Sequence, residues 1–377
     1  MRLTARAGDV ARALALVSLG VTKRTAGAAV RLSAADGEVS LAATDMKLAI
    51  ATKAIVTAIL EPGSAATSIE RLAGVMSSLP PAASVTIATN KTAAAIVCGN
   101  HRSRLATITE LPAMIALDDE TGRIEISGAD CMVLLEPLPA ASGEETRFYL
   151  TGVNWQSIDG RLVATATDGT TLIRTSIAAG TFSEGRDLII PREAAAVLAK
   201  LLKSTGLPAV TLRRSKRLIS VSCSSFSFVS RLIDCTYPDC RPVIPPPSSN
   251  AVTCERALLI DSIGTLANVS TTQETPLILL HFGEEPLLYI SLAKEPETGS
   301  DYLDADTSGT GQVVVQLTLL LQMLGEVSGE NVRLEFSEGR PLRITGEGDK
   351  LALVSPMKWN FETGKTARAR PLGRDAD

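Results

Sequence analysis

One feature governs what this chain can fold into: similar segments return at intervals of about 125 residues, a third of the chain's 377. Asp36-Gly37 followed by Thr44-Asp45 returns as Asp159-Gly160 followed by Thr167-Asp168, offset by 123 residues with the internal spacing unchanged. Apolar residues alternate on either side of each Asp-Gly pair, which predicts a β-hairpin. A helical stripe follows and appears three times, as Leu72, Val75, Met76 and Leu79, as Ala194, Val197, Leu198 and Leu201, and as Leu317, Leu320, Leu321 and Leu324. Each fits the i, i+3, i+4, i+7 spacing of one helix face. Pro191 stands at the opening of the second, where proline is best tolerated. After the stripes come Val85-Thr86-Ile87, Val210-Thr211-Leu212 and Val332-Arg333-Leu334, and Ser103-Arg104-Leu105 returns as Ser230-Arg231-Leu232. A unit of this length is too long for a solenoid repeat, so each copy needs its own core.

The run from Cys240 to Ala251, CRPVIPPPSSNA, is rich in Pro and Ser and can continue neither a ladder nor a helix. It predicts a linker. Boundaries near residues 122 and 249 follow, giving copies at 1–122, 123–248 and 249–360, with a flexible polar tail at 361–377. Each copy reads as α+β, with strands dominant and one helix early and one late.

Composition narrows the function. With 37 Lys plus Arg against 41 Asp plus Glu, the net charge of −4 excludes a generally basic polyanion binder. Seven Phe, four Tyr and two Trp are too few for base-stacking platforms. The six cysteines contain no C-x-x-C pair, which predicts reduced thiols in a cytoplasmic protein without structural zinc. The start of the chain resembles a signal peptide, but Asp9 and Arg12 interrupt it, and Val10, Ala13, Leu14 and Val17 mark an amphipathic helix. No run of 18 apolar residues suggests a membrane span. Two histidines and no phosphate-loop, dinucleotide or zincin motif leave no catalytic constellation, so neither an enzyme nor a cofactor is expected. Asp45 and Asp168 occupy equivalent positions in two copies, which predicts turn roles rather than paired-carboxylate chemistry.

Four segments carry a resemblance: TRFYLTG (146–152), ATATDGTTL (164–172), LIIPREAAAVLAKLL (188–202) and SRLIDCTYPDCRPVIP (230–245). LVSPMK at 353–358 resembles a terminal Met-Pro-Met strand. Together they resemble the β subunit of bacterial DNA polymerase III, the sliding clamp, in order and spacing over nearly the whole chain. The resemblance implies three tandem clamp domains per chain, with antiparallel sheets outside and two helices per domain inside, in a head-to-tail homodimeric ring around duplex DNA. It implies a cytoplasmic, nucleoid-associated processivity factor whose partners are double-stranded DNA bound without sequence preference, DNA polymerase subunits, the clamp loader and repair proteins. A closed ring makes sequence-blind phosphate contacts persistent, because leaving requires opening an interface. Only its lining needs positive potential, and the cations implied to face DNA are Lys23, Arg24, Arg71, Arg147, Arg192, Lys200 and Lys203.

The resemblance also implies a pocket for short linear motifs of partner proteins, walled by Leu150, Thr167, Gly169, Leu172, Pro238, Val243, Ser355, Pro356 and Met357. Three departures bear on it. Thr170-Thr171 stands where many relatives have His-Arg, Ser355 stands for the first terminal Met, and 17 residues follow Asn360. These alter the rim more than the floor and mark a divergent member. QLTLL at 316–320 looks like a partner motif but falls on the third late stripe, which predicts core packing. The alternative to a clamp is a protein-interaction scaffold that keeps the fold without encircling DNA, a reading favoured by the absence of Lys and Arg from QLTLLLQMLGEV and GADCMVLLEPLP.

Overall fold

Two Asp-Gly pairs set the geometry of their hairpins. Asp36 and Gly37 adopt φ of 50° and 79°, and Asp159 and Gly160 adopt 49° and 74°. Positive φ at both central residues is the primed turn whose twist matches that of the flanking strands. The same local chemistry therefore builds the same hairpin twice. The computed structural model describes residues 1–21, 28–109, 112–178, 180, 182, 187–269, 276–293, 299–360 and 365–366.

In chain order the first copy contains β1 (Arg2–Arg6), α1 (Ala7–Ser18), β2 (Ala29–Ala35), β3 (Glu38–Thr44), β4 (Leu48–Ala54), β5 (Ala58–Glu61), β6 (Gly63–Ser68), α2 (Ile69–Ser78), β7 (Ser84–Thr89), β8 (Ala93–Cys98) and β9 (His101–Ala106). The second contains β10 (Gly122–Ile126), α3 (Gly128–Val133), β11 (Gly152–Ile158), β12 (Arg161–Thr167), β13 (Thr171–Ile177), β14 (Leu188–Pro191), α4 (Arg192–Ser204), β15 (Val210–Arg214), β16 (Leu218–Ser222) and β17 (Phe226–Arg231). The third contains β18 (Ala251–Glu255), α5 (Arg256–Val269), β19 (Leu277–Phe282), β20 (Leu287–Leu292), β21 (Ser300–Asp304), β22 (Asp306–Ser308), β23 (Gly311–Gln316), α6 (Leu317–Glu326), β24 (Asn331–Glu335), β25 (Leu342–Thr345) and β26 (Leu351–Val354). A strand, a helix, a three-stranded meander, one or two further strands, a second helix and three more strands thus recur three times. The chain is α+β, built from antiparallel sheets and two helices per repeat. Pro191 differs slightly from expectation: it ends β14 and caps α4 from outside, and Arg192 is the first helical residue.

The chain clusters into two compact units, one of residues 1–132 and 179–234 and the other of 133–178 and 235–377. The first unit holds a sheet in the order β5-β1-β7-β8-β9 and another in the order β10-β15-β16-β17-β4-β3-β2-β6. In the second unit one sheet runs β11-β12-β13-β26-β25-β24-β18-β22 and another runs β21-β20-β19-β23. In all three copies the first strand pairs with the strand after the late helix: Leu3 lies opposite Ile87, Ile124 opposite Leu212, and Val252 opposite Leu334. Two junctions splice copies together. β17 pairs with β4 in the first unit, and β13 pairs with β26 in the second.

Most stripe positions are core, while Val75, Leu79, Val197 and Leu321 are half-buried at the edges of those faces. Val10, Ala13, Leu14 and Val17 of α1 are buried, as are Leu72 and Met76 of α2, Leu198 and Leu201 of α4, and Leu317, Leu320 and Leu324 of α6. QLTLL therefore packs inward through Leu317 and Leu320, whose burial is worth about 2 kcal/mol each and would be forfeited on exposure.

Candidate functional site

The junction of β13 and β26 in the second unit floors a cavity of about 520 Å³. Leu172 lies opposite Leu353 across that pair and packs with Leu351, and Cys240, Val243 and Ile244 lie against the cluster. The wall from Pro238 to Val243 runs into the proline-rich linker, whose prolines offer carbonyls but no N–H. Those carbonyls accept from outside: Arg340 Nη1 donates to Pro242 O and Arg343 Nη1 to Pro245 O, both at 3.2 Å. Arg343 is in turn 3.3 Å from Glu335, whose Oε2 accepts from Ser248 N at 3.1 Å. Two arginines of the third copy thus fix a segment that has no ladder of its own.

The turn between β12 and β13 shapes the near wall. Asp168 Oδ1 accepts from the backbone N–H groups of Thr170 (2.8 Å) and Thr171 (2.7 Å) and from both of their hydroxyls. Thr167 Oγ1 donates to Thr171 O and accepts from Gly169 N at 3.0 Å. The Tyr237 hydroxyl accepts from Thr167 N at 3.0 Å, and burial pushes its pKa up. The Thr44-Asp45 turn repeats the pattern, with Asp45 Oδ1 accepting from Lys47 N and Leu48 N and Thr44 Oγ1 donating to Leu48 O. Both aspartates are turn caps, as their equivalent positions predicted.

Gly169 sits at φ 93°, and a Cβ there would come within 2.9 Å of Arg147 Nη1. Arg147 is held by its Nε and Nη2, which donate to Glu144 Oε2 at 3.0 and 2.8 Å, leaving Nη1 over the glycine. On another part of the lining, Asp239 takes a fork from Arg241, Nε to Oδ1 at 2.9 Å and Nη2 to Oδ2 at 2.8 Å, which holds its carboxyl down at about 2. Burial, reinforced by Asp239, pushes the Cys240 thiol up to about 11. The cavity is therefore apolar at its floor, with a cation and an ion pair on its rim.

Of the residues named from sequence, Leu150, Thr167, Gly169, Leu172, Pro238, Val243 and Ser355 line this cavity together. Pro356 and Met357 line a neighbouring one of about 770 Å³, which shares Ser355 and Pro341 with the first. Met357 N is fixed there by Val314 O at 2.7 Å. Thr170 and Thr171, expected at the rim, also line it, and Tyr149, Asp239, Cys240, Pro341 and Leu353, which were not singled out from sequence, complete the lining together with Arg147. Arg147, expected among the duplex-facing cations, stands in this wall.

The other named cations divide. Arg192, Lys200 and Lys203 are exposed on α4. At 100° per residue they fall within one arc of about 80°, opposite Ala194, Leu198, Leu201 and Leu202, which are buried. Arg71 is exposed on α2 beside Glu70. Lys23 and Arg24 lie outside the described residues, as does the 361–377 tail apart from Lys365–Thr366.

Comparison with known proteins points in one direction. The model of the DNA polymerase III beta subunit central domain matches residues 138–239. A beta sliding clamp of Pseudomonas putida is 25% identical over 332 residues, covering 85% of this chain and 89% of its own length. The crystal structure of the DNA polymerase III subunit beta from Pseudomonas aeruginosa shares the fold at a TM-score of 0.86 with 24% identity, over 95% of this chain and 100% of that one. A sliding clamp from Bartonella birtlesii, solved bound to griselimycin, has a TM-score of 0.86 and 24% identity over 94% and 99% of the two chains.

Proposed function

We propose that this chain, a member of the bacterial DNA polymerase III β-subunit family, is a DNA sliding clamp: a processivity factor with no catalysis of its own that encircles duplex DNA and tethers polymerase and repair proteins. The observation that carries the reading is the apolar cavity at the β13–β26 junction, whose Leu, Val and Pro lining suits the apolar anchors of a linear peptide. Arg147 belongs to that rim, where its free Nη1 suits a peptide carbonyl or carboxylate. Pro356 and Met357 extend the site into the adjoining cavity. The three domains are residues 1–122, 123–248 and 249–360, and the protein works in the cytoplasm at the nucleoid.

Sheet topology supports the ring. Both junctions within the chain join the third meander strand of one copy to the last strand of the next. The remaining pair of that kind, β21 and β9, are both sheet edges. A long unpaired edge invites a partner. In a head-to-tail dimer, β21 of one copy meets β9 of the other. β9 carries Arg102 and Arg104 and β21 carries Asp301 and Asp304, so the edges are complementary in charge. The cationic arc of α4 then lines the hole, with Arg71 on α2. A scaffold that no longer encircles DNA is the second reading, favoured by the absence of Lys and Arg from α3 and α6.

The test is binding of a fluorescent peptide of the QLTLL pattern, with griselimycin as competitor. Saturable binding that griselimycin displaces, and that Leu172→Asp abolishes while the circular dichroism spectrum is retained, is the expected result. A folded protein that binds neither ligand contradicts the reading.

A further inference from the structure

The repeat that builds the pocket builds its counterpart in the first unit, at the junction of β4 and β17. The correspondence holds bond by bond. Ser355 N donates to Thr170 O at 2.8 Å beside the pocket, and Arg231 N donates to Lys47 O at 2.9 Å at the other junction. Met46 N donates to Thr44 Oγ1 as Gly169 N does to Thr167 Oγ1, and Met46 shares the left-handed backbone of Gly169 with φ 70°. The positions are equivalent, but their chemistry is reversed. Arg231 stands in the place of Ser355 and Lys47 in that of Thr170.

Two more cations stand beside them. Leu232 N donates to Arg217 O at 2.8 Å, and Leu218 pairs with Arg231, which places the turn carrying Lys216 and Arg217 next to Arg231. Lys47, Lys216, Arg217 and Arg231 are all exposed. Neighbouring strands lie about 4.8 Å apart, so the four charges form a short row along one rim of the sheet. The row is held on fixed backbone. Ser215 Oγ accepts from Arg217 N and Leu218 N, Asp45 caps the opposite turn, and Arg231 Nε donates to Met46 O at 2.9 Å.

The row is also distinguished by how closely its charges are grouped without carboxylate partners. Several exposed cations elsewhere pair with close carboxylates, as in Lys53–Glu38 at 2.7 Å, Arg123–Glu125 at 2.9 Å and Arg241–Asp239 at 2.8 Å. Among the described residues none of these four makes an ion pair. Asp45, the carboxylate built into the row, is engaged by two backbone N–H groups and leaves the rim with net positive charge. In a chain of net charge −4 such a concentration of unpaired cations calls for an anionic ligand. Exposed charges repeating at nearly strand spacing suit a regularly charged polymer, while Arg231 retains its Nη groups for a forked contact with phosphate.

We propose that Lys47, Lys216, Arg217 and Arg231 form a second DNA-contact site that takes backbone phosphates of duplex DNA. The proposal rests on the sliding-clamp reading and adds to it a contact made by a sheet rim rather than by helices.

The experiment uses a fluorescent linear duplex of about 25 base pairs, from which a ring can slide, so that affinity reports direct phosphate binding rather than encirclement. Its dissociation constant is measured against salt for the full chain, for Lys216→Gln/Arg217→Gln, for the fourfold Gln variant, and for Lys53→Gln as a control. Removing one phosphate-neutralising cation lowers the slope of log affinity against log salt by about 0.9. The double variant is expected to lower the slope by about 2 with unchanged melting temperature, and the control to leave it unchanged. An unchanged slope in both the double and fourfold variants overturns the proposal, as does loss of binding to a poly-glutamate peptide without loss of DNA binding. Retention on closed circular DNA is measured in parallel. Normal retention with unchanged slopes removes only this site, whereas failure of the unaltered protein to be retained removes the clamp reading itself.

Discussion

Replacing Gly169 by alanine separates the backbone cost of the pocket turn from its effect on ligand binding. At φ 93° an alanine is strained, and left-handed backbone costs a non-glycine residue about 1–2 kcal/mol. Met46 adopts φ 70° in the equivalent turn of the first copy and is 63% exposed, so the turn itself tolerates a side chain. The lower end of that range, about 1 kcal/mol, is therefore expected, lowering the melting temperature by about 2–4 °C. The added Cβ meets Arg147 Nη1 at 2.9 Å, and this flexible end yields more readily than backbone. Its displacement removes a charged hydrogen bond of about 1.5–3 kcal/mol to a bound peptide, a loss of roughly 10- to 100-fold in affinity. Thermal denaturation and fluorescence anisotropy with the QLTLL-pattern peptide measure the two effects. Arg147→Ala should weaken binding similarly without the melting shift, and the double variant should be no weaker than either. Unchanged affinity in Gly169→Ala, or additive losses in the double variant, would refute the reasoning.

Charge reversal tests the proposed dimer edge: Arg102→Asp/Arg104→Asp should convert dimer to monomer in analytical ultracentrifugation, and mixing with Asp301→Arg/Asp304→Arg protein should restore a dimeric species. Leu172→Ala, at a floor that opens on the cavity and lacks full enclosure, should destabilise by about 2 kcal/mol, read from urea denaturation. The Cys240 thiol, pushed up to about 11, holds about a thousandth of its population as thiolate at pH 8, so iodoacetamide should modify it roughly a hundredfold more slowly than a free thiol. Asp239, held down at about 2, gives stability that is present above the ordinary carboxylate range and is lost only as pH falls towards 2. Its carboxyl carbon should therefore show no NMR titration between pH 7 and 4, and titration near pH 4 would contradict the Arg241 fork.

Much of the fold is legible from local chemistry. Asp36-Gly37 and Asp159-Gly160 encode their turns directly, because few other pairs accept two left-handed residues. The stripes of α1, α2, α4 and α6 mark buried faces because helical periodicity is short-range. The splicing of β4 to β17 and β13 to β26 is not legible, since it joins strands 174 to 183 residues apart through backbone bonds that accept any side chain. The pocket shows the same division. Leu172, Gly169 and Pro238 lie in segments whose pattern names them. Pro341 and Leu353 reach the cavity only because the third copy folds against β13, and Cys240 opens, with Asp239 just before it, a linker whose path is set by Arg340 and Arg343. Arg147 illustrates the limit for charge. Its side chain is 35% exposed, and only its bonds to Glu144 and its approach to Gly169 distinguish a pocket wall from a solvated cation.

Encirclement is tested most directly by loading the protein onto a nicked circular plasmid, separating bound from free protein by gel filtration at 0.5 M salt, and then cutting the plasmid once. The account predicts that dimeric protein co-elutes with the intact circle at a salt concentration that abolishes binding to a short linear duplex, and is lost within minutes of linearisation. Protein equally retained before and after the cut, or never retained, would contradict it.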